Sequence, residues 1–381
     1  MTKISVILPI YNAGPHLGLS IASLLKQTHG DFRIIAIDDG STDGSARILE
    51  AASALDSRIT AISRENRGLI ETLNQGLALA DTDIIARMDA DDIAYPTRFA
   101  AQLDAFEASP DIGLLGTNFD RLFNETRLSP ASRPILTAPG ARGILGRFCT
   151  SLRHPTVMFR RSRLGSAELH YDARYPYAED FDLFRRLALS TEMAELPAPH
   201  LAYRIHSGSV SMTRIQQMCA THLTILEENL QRHYPSVATD CLSDLVERLE
   251  VEVVDAAAEM IRKLDALAPS QPEAEQEAFI EGVNTTFYFI YAVICRGHAY
   301  SLAHRFIDQA QRWHAIRRRE RAALRGRGAY LGMNLSKWQL DMQRLLASRS
   351  LTKALPGYAE MQELSRAIER AANHDSHSSA A

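Results

Sequence analysis

Three carboxylates follow an apolar segment near residue 90 of this 381-residue chain, in the run Ile84-Ile85-Ala86-Arg87-Met88-Asp89-Ala90-Asp91-Asp92. In an extended chain, residues two apart point to the same side, so Asp89 and Asp91 can face one point. Two or three carboxylate oxygens at one point suit Mg²⁺ or Mn²⁺ bound together with a phosphate-bearing substrate. The alternative is an acidic surface turn in which Asp92 is a charge at the N-terminus of the next helix.

Alternating strand and helix patterns must position these acids. The apolar, β-prone stretches 4–9, 32–37, 58–62 and 84–88 predict strands, and a helical pattern follows each of the first three. Short connections between such elements predict βαβ units, right-handed crossovers and a parallel, Rossmann-like sheet in an α/β fold. Beyond residue 95 the patterns predict helices over 96–106 and 178–187, strands over 112–117, 154–160 and 201–206, and a hairpin arm over 119–127.

Polar side chains stand at the carboxyl ends of these four predicted strands. They are Tyr11-Asn12, Asp38-Asp39, Asn66-Arg67-Gly68 and the acids at 89–92. In open parallel sheets, ligands bind at this edge. Turn chemistry explains each cluster singly, but it does not explain why all four converge, so we predict a polar ligand site there.

Composition limits the class of protein. The formal net charge is −4 and 46% of residues are hydrophobic, which predicts globular cores and no nucleic-acid partner. Four scattered cysteines without metal spacing indicate reduced thiols, and Met1-Thr2-Lys3 leads straight into a strand. We therefore expect a cytoplasmic protein. The longest apolar run, Phe287 to Cys295, is too short to cross a bilayer and predicts a buried helix.

The character of the sequence changes near residue 213, where strand patterns stop. Amphipathic helices are predicted over 216–233, 239–267, 273–297 and 300–325. We therefore predict an α/β domain over residues 1–212, a helical region over 213–372, and a disordered, polar tail over 373–381.

Several motifs in order resemble the inverting family-2 glycosyltransferases. They are Ser5-Val6-Ile7-Leu8-Pro9-Ile10-Tyr11-Asn12, Asp38-Asp39-Gly40-Ser41-Thr42-Asp43, Asn66-Arg67-Gly68, Asp89-Ala90-Asp91-Asp92, His154-Pro155, Glu179-Asp180 and Tyr203-Arg204-Ile205-His206. The resemblance covers residues 1 to about 212. It implies the nucleotide-sugar-binding GT-A fold and a metal-dependent, inverting transfer from a nucleoside-diphosphate sugar, most simply a UDP-sugar.

For the donor, the resemblance implies a nucleotide-sugar pocket and a Mn²⁺ or Mg²⁺ site. The pocket would involve Pro9, Tyr11, Asn12, Asp39, Arg67, Asp89 and Ala90, and the metal would be held by Asp91, Asp89 and His206. Of Asp38 and Asp39, one is expected to cap the following helix, and Asp39 is assigned to the ligand. His206 equally fits a structural histidine, Arg204 is a second residue on the phosphate side, and Arg67 equally fits a solvated loop.

For the acceptor, the resemblance assigns catalysis to Asp180 as general base and to Glu179 as its neighbour. A helix N-terminus favours the ionised form of an acid. The alternative is that Glu179, Asp180 and Asp182 are ordinary first-turn acids. His154 fits a satisfied core histidine better than an acceptor contact.

An arginine-rich stretch in the helical region points to a surface partner. Its members are Arg312, Arg317, Arg318, Arg319, Arg321, Arg325 and Arg327, with Trp313 nearby. A basic helix with Trp can lie on an anionic membrane, which would suit a lipid-linked acceptor or other saccharide in surface polysaccharide or glycolipid assembly at the inner face of the membrane. A solvated helix or a partner interface, including a homo-oligomer, is the alternative.

Two other functions are alternatives to glycosyl transfer. A sugar nucleotidyltransferase should carry a Gly-rich, basic loop after the first strand, where this chain has Pro9-Ile10-Tyr11-Asn12-Ala13-Gly14. A non-catalytic nucleotide-sugar-binding module would not need Asp39, Asp91 and Asp180 together.

Overall fold

The computed structural model describes residues 3–123, 127–130, 136–148, 152–165, 169–206, 213–297, 299–316 and 355–378, together with residues 318, 321 and 324. Its strands are β1 Ile4–Ile10, β2 Phe32–Asp39, β3 Ile59–Arg64, β4 Ile84–Arg87, β5 Ile93–Ala94, β6 Ile112–Phe123, β7 Arg127–Pro130, β8 Met158–Arg160 and β9 Glu192–Arg204. Its first six α-helices are α1 Gly14–Leu25, α2 Ser45–Leu55, α3 Leu69–Leu79, α4 Arg98–Ala108, α5 Ala141–Gly146 and α6 Glu179–Leu187.

Six further α-helices follow the sheet. They are α7 Ile215–His233, α8 Cys241–Glu247, α9 Val251–Leu267, α10 Glu273–Arg296, α11 Tyr300–Gln309 and α12 Tyr358–Ser378. Short 3₁₀ turns cover His154–Thr156, Arg161–Arg163 and Ala268–Ser270.

The described strands form one sheet in the order β3-β2-β1-β4-β8-β6-β9-β5, and β7 pairs with β6 at the hairpin expected over 119–127. The strands β3, β2, β1 and β4 are parallel, which confirms the βαβ prediction. The far half is mixed, because β8 runs antiparallel to both β4 and β6. The carboxyl ends of the four parallel strands therefore meet at one edge.

Apolar side chains alternate across β1 and bury both faces of the sheet. Ile4, Val6, Leu8 and Ile10 belong to the core beneath α1, α2 and α4, while Ile7 belongs to the core beneath α3 and α6. This is the near-continuous apolar pattern expected of a central parallel strand.

A separate helical core lies in the C-terminal half, and the packing crosses the boundary predicted near residue 213. Ile144 and Phe148, at α5, belong to the helical core. In the opposite direction, Ile368 and Ala372 of α12 belong to the core of the sheet. The helix α10 is long and apolar enough to cross a membrane, but 61% of its most apolar window is buried inside the protein, as in the core helix of a helical unit.

Three predictions about the helical region were wrong in detail. The helix predicted over 239–267 is two helices, because the backbone at Arg248 and Glu250 is extended and lets α8 pack against α9. The helix predicted over 300–325 ends at Gln309, two residues before the left-handed Gln311 (φ 56°). The tail predicted to be disordered from 373 is helical to Ser378, because it extends a helix already anchored by buried residues.

Candidate active site

The three acids after β4 gather at one point. Carboxylate oxygens of Asp89, Asp91 and Asp92 all lie within 4.8 Å of one another. About 30% of the side-chain surface of Asp89 and 27% of that of Asp91 is exposed, whereas Asp92 is buried. Asp89 and Asp91 therefore present oxygens to a ligand, and Asp92 lies behind them.

Residues at the end of β9 hold this acidic loop. The backbone N–H of Arg204 donates to Asp92 Oδ1 at 2.8 Å, and Arg204 Nε donates to the carbonyl of Asp91 at 2.7 Å. His206 Nε2 lies 2.8 Å from Asp91 Oδ2. The interpretation of Asp92 as an N-terminal helix charge was wrong: α4 begins at Arg98, and Asp92 is instead a buried acceptor that ties β9 to the loop.

Two buried arginines lie beneath the acids. Arg87 Nη2 forms an ion pair with Asp89 Oδ1 at 2.5 Å. Arg98 is fully buried and donates to the carbonyl of Arg87 at 2.8 Å. Burial lowers the pKa of Arg98 to about 9 despite the nearby charge of Asp92, and burial together with the charge of Asp91 raises the pKa of Asp92 well above its ordinary value. Buried cations and anions are thus neighbours at this edge of the sheet.

The residues present fit a divalent cation. The cluster supplies carboxylate oxygens, the hard ligands that Mg²⁺ and Mn²⁺ prefer. Asp92 Oδ2 is buried and has no hydrogen-bond partner among the described residues, which a nearby cation would compensate. Burial and the charges of Asp91 and Asp180 raise the pKa of Asp89, with Arg87 opposing, as is typical of acids that share one small volume.

The acids at the start of α6 lie within electrostatic range of the acidic loop. The charge of Asp180 contributes to the raised pKa of Asp89, so the two carboxylates are close enough to interact. Asp180 is half-buried and its Oδ1 accepts the N–H of Phe181. Glu179 is buried, and burial followed by the charge of Asp180 raises its pKa to about 7. The structure therefore brings the two predicted catalytic acids together with the acidic loop.

His154 is a satisfied core histidine. Its Nε2 lies 2.7 Å from the hydroxyl of Tyr171, and both residues are buried. Burial and the charge of Arg87 lower the pKa of His154 well below its ordinary value, so its ring is neutral near pH 7.

The loops after β1 and β2 are joined. The side-chain oxygen of Asn12 accepts the N–H of Thr42 at 2.8 Å, and the N–H of Asn12 donates to Ser41 at 2.9 Å. Asn12 has a left-handed backbone (φ 50°), which asparagine tolerates better than most residues. Tyr11 stays 57% exposed, whereas Pro9 and Ala90 are buried.

Asp39 holds the loop after β3. Its Oδ1 accepts the N–H of Arg67 and its Oδ2 accepts the N–H of Gly68, both at 2.8 Å. Arg64 also pairs with Asp39, which is 3% exposed. Its assignment to the nucleoside stays a prediction, and so does that of Arg67, whose backbone carries this contact.

Neither Asp38 nor Asp39 is the cap of α2, contrary to expectation. Gly44 occupies the N-cap position, and Asp43, one residue before it, accepts from the N–H of Ser45 at 3.1 Å and from the Ser45 hydroxyl at 2.6 Å. Its Oδ2 also accepts the N–H of Gly14 at 2.8 Å. The reason is that β2 continues through Asp39, which places both acids too early in the chain.

The buried arginines were missed in the sequence. A usable signal was present, because Arg87 interrupts an apolar strand and a buried guanidinium requires an anionic partner. Arg98 gave no such signal, since an arginine in the first turn of a predicted helix is ordinarily exposed.

Comparison with known proteins agrees with the geometry. Residues 5–165 match the family model described as Glycosyl transferase family 2. An uncharacterized glycosyltransferase from Haemophilus influenzae is 29% identical over 272 residues, which cover 68% of this chain and 84% of the relative. The O-antigen biosynthesis glycosyltransferase WbnJ from Escherichia coli is 29% identical over 247 residues, which cover 64% of this chain and 94% of WbnJ.

Among solved structures, S. aureus TarS 1-349 in complex with UDP-GlcNAc superimposes with a TM-score of 0.50 and 16% identity, covering 81% of this chain and 89% of TarS 1-349. At this identity the likeness is one of fold. The fold is therefore of the GT-A type, a mixed α/β sheet followed by a helical C-terminal region. The match to glycosyltransferase family 2 covers residues 5–165, which is less than half of the chain, and the similar proteins above are glycosyltransferases. The chain is therefore a glycosyltransferase.

The family match ends before several site residues. Glu179, Asp180, Arg204 and His206 all lie beyond residue 165. Their roles rest on where the structure places them.

Proposed function

We propose that this enzyme transfers a sugar from a UDP-sugar to an acceptor hydroxyl with inversion and with the help of Mn²⁺ or Mg²⁺. The observation that carries the proposal is the cluster of Asp89, Asp91 and Asp92 at the carboxyl edge of the parallel strands, with Asp180 close enough for its charge to raise the pKa of Asp89. One group of acids suits the diphosphate side of a donor, and the other suits an incoming hydroxyl.

On the donor side, Asp91 and Asp89 would hold the cation, with Asp92 behind them and His206 beside Asp91. The bound cation would supply positive charge that stabilises the departing diphosphate. The exposed ring of Tyr11 lies at the end of β1, where it can contact a nucleobase. UDP-sugars are the first donors to test, because the TarS structure with this fold holds UDP-GlcNAc.

On the acceptor side, Asp180 would take the proton of the attacking hydroxyl. The bond from acceptor oxygen to C1 of the sugar forms while the bond from C1 to the diphosphate oxygen breaks, and UDP leaves. A single displacement of this kind inverts the anomeric centre. Glu179, with its pKa of about 7, would carry a proton for part of the physiological range and could donate a hydrogen bond to the acceptor.

The class of acceptor is inferred from the name of a relative and from the arginine-rich stretch. The name of WbnJ refers to O-antigen biosynthesis, which suggests a saccharide or lipid-linked acceptor in surface polysaccharide assembly at the cytoplasmic face of the membrane. Arg312 cannot serve a membrane contact, because it is buried and paired with Asp265. Trp313 packs on His304 and donates to Asp308. The membrane prediction therefore rests on the remaining arginines. Arg318 and Arg321 are among the described residues, whereas Arg317, Arg319, Arg325 and Arg327 lie outside them.

The test is release of UDP from a panel of UDP-sugars with Mn²⁺, with and without a saccharide acceptor. Replacing Asp180 by Asn should lower kcat about 10²- to 10⁴-fold, since general-base assistance is typically worth that much, and should leave the donor KM nearly unchanged. The exposed Asp104→Asn variant is the matched control. An Asp180→Asn enzyme as fast as wild type would show that Asp180 is not the general base. Activity that survives EDTA would show that transfer does not depend on the metal.

A further inference from the structure

The helix α12 packs behind the acidic loop although it lies more than 260 residues further along the chain. Met361 is fully buried and Leu355 is 6% exposed. Both belong to a small apolar cluster that also contains Ile93, Tyr95 and Ala202. Ile93 directly follows Asp92, and Ala202 lies two residues before Arg204, which holds the loop. The residues that flank the acids therefore belong to the same apolar cluster as Met361 of α12.

A second contact runs through α1. The hydroxyl of Ser20 in α1 donates to the carbonyl of Asp89 at 3.3 Å. The helix α12 crosses α1 closely at Gly18, where an added Cβ would lie 2.7 Å from Ser365 Oγ and 2.9 Å from Glu369 Oε1. Ser365 is itself buried. The position of α1, and through Ser20 that of Asp89, therefore depends on α12.

We propose that α12 and its buried Met361 position the acidic loop, so that the helix is part of the donor site's support. This inference deepens the proposed function and rests on it where metal and donor are concerned. Met361 touches no reacting atom in this scheme. Its role is to keep Ile93 and the Arg204 strand packed, so that Asp89 and Asp91 hold their geometry before any ligand binds. Packing of this kind lowers the ordering cost of binding.

The test compares two methionine truncations in the full-length chain. Met361→Ala removes packing behind the acidic loop, whereas Met260→Ala, at a position 1% exposed in the helical core, is the matched control. Hydrogen exchange of the metal-free proteins should show faster exchange over residues 88–95 and 201–206 in Met361→Ala and unchanged exchange there in Met260→Ala. Met361→Leu should restore the wild-type pattern.

Activity supplies a second measurement. The Mn²⁺ concentration for half-maximal UDP release should rise about 3- to 30-fold in Met361→Ala, as is typical of packing changes coupled to a binding site, with a smaller change in kcat. Leu355→Ala is the milder variant if Met361→Ala does not fold, and it should move both measurements in the same direction.

The outcomes separate this inference from the proposed function. If both truncations lower the melting temperature but exchange over 88–95 stays at the wild-type rate, α12 only stabilises the fold and the inference is wrong. If wild type releases no UDP from any donor, the proposed function fails, while the exchange experiment still decides whether α12 positions the loop.

Discussion

At the scale of single residues, charge is the organising quantity of the site. Three carboxylates at 89, 91 and 92 stand over Arg87 and Arg98, which are buried and cannot move away. Arg87 Nε and Nη1 have no hydrogen-bond partner among the described residues. Buried donors left in this way cost free energy, and a charged ligand nearby would offset part of that cost.

Glu179 gives a pH prediction. Its pKa is about 7 in the folded protein against an ordinary 4.5, so between these values the folded chain keeps a proton that the unfolded chain has lost. The contribution of Glu179 to the free energy of unfolding is therefore fully present below pH 4.5 and is lost as pH rises through 7, by on the order of 3 kcal/mol at most. In EDTA, the Glu179→Gln variant should lose less stability than wild type between pH 5 and 8.

Chemical denaturation at pH 5, 6, 7 and 8 measures this difference. The exposed Glu277→Gln variant is the control and should follow the wild-type curve. Parallel curves for wild type and Glu179→Gln would mean that Glu179 ionises at its ordinary pH in the folded chain.

At the scale of elements, the helical region contacts α6, the helix that carries Asp180. Arg185 of α6 bonds Asp182 Oδ1 at 2.9 Å and Glu228 Oε2 of α7 at 2.6 Å. The ring of His222 in α7 stacks on Phe181 with centroids 5.7 Å apart. The helix α7 therefore fixes the orientation of α6 and, with it, of the proposed base.

The variant Arg185→Met tests this contact between α6 and α7. Asp182 is 1% exposed and, among the described residues, would keep Arg186 as its cationic partner, so we expect a loss of about 1–3 kcal/mol in the free energy of unfolding. Arg248→Met removes an exposed pair with Asp244 and should leave the free energy of unfolding nearly unchanged, because water and salt screen such a pair. Urea unfolding of both variants gives the comparison, and equal midpoints would indicate that the α6–α7 contact is energetically unimportant.

The sequence was most informative where periodicity and turn chemistry act locally. The apolar runs of β1 and β2 and the acids after β4 predicted the parallel strands and the edge at which they end. No individual helix was predicted at α12 from the sequence, and the buried positions Met361, Ile368 and Ala372 could not indicate its partner, because any apolar surface can cover such a face. For the same reason, the bond from Gly14 to Asp43 and the tie from Arg204 to Asp92 could not be foreseen, since both join residues distant in sequence.

At the scale of the whole molecule, ligand binding should change the stability of the fold. A ligand that binds only the folded state raises the melting temperature. At 100 times its Kd it adds about 2.7 kcal/mol to the free energy of unfolding. We expect UDP with Mn²⁺ to raise the melting temperature of wild type and to have little effect on Asp91→Asn. An equal shift for both proteins would place the diphosphate away from Asp91.

The packing of α12 on α1 also constrains how the chain folds during synthesis. Residues 355–372 emerge from the ribosome roughly 10 to 30 s after residue 206 at ordinary elongation rates of about 5–20 residues per second. Until then Leu19, Ile93 and Leu122 lack the apolar contacts that Leu355 and Met361 provide. The nascent sheet therefore exposes a hydrophobic surface that chaperones can bind. Ribosome-bound chains stalled at residue 330 should accordingly be cleaved by protease within the α1 and β5 segments, whereas chains with residue 378 outside the exit tunnel should resist.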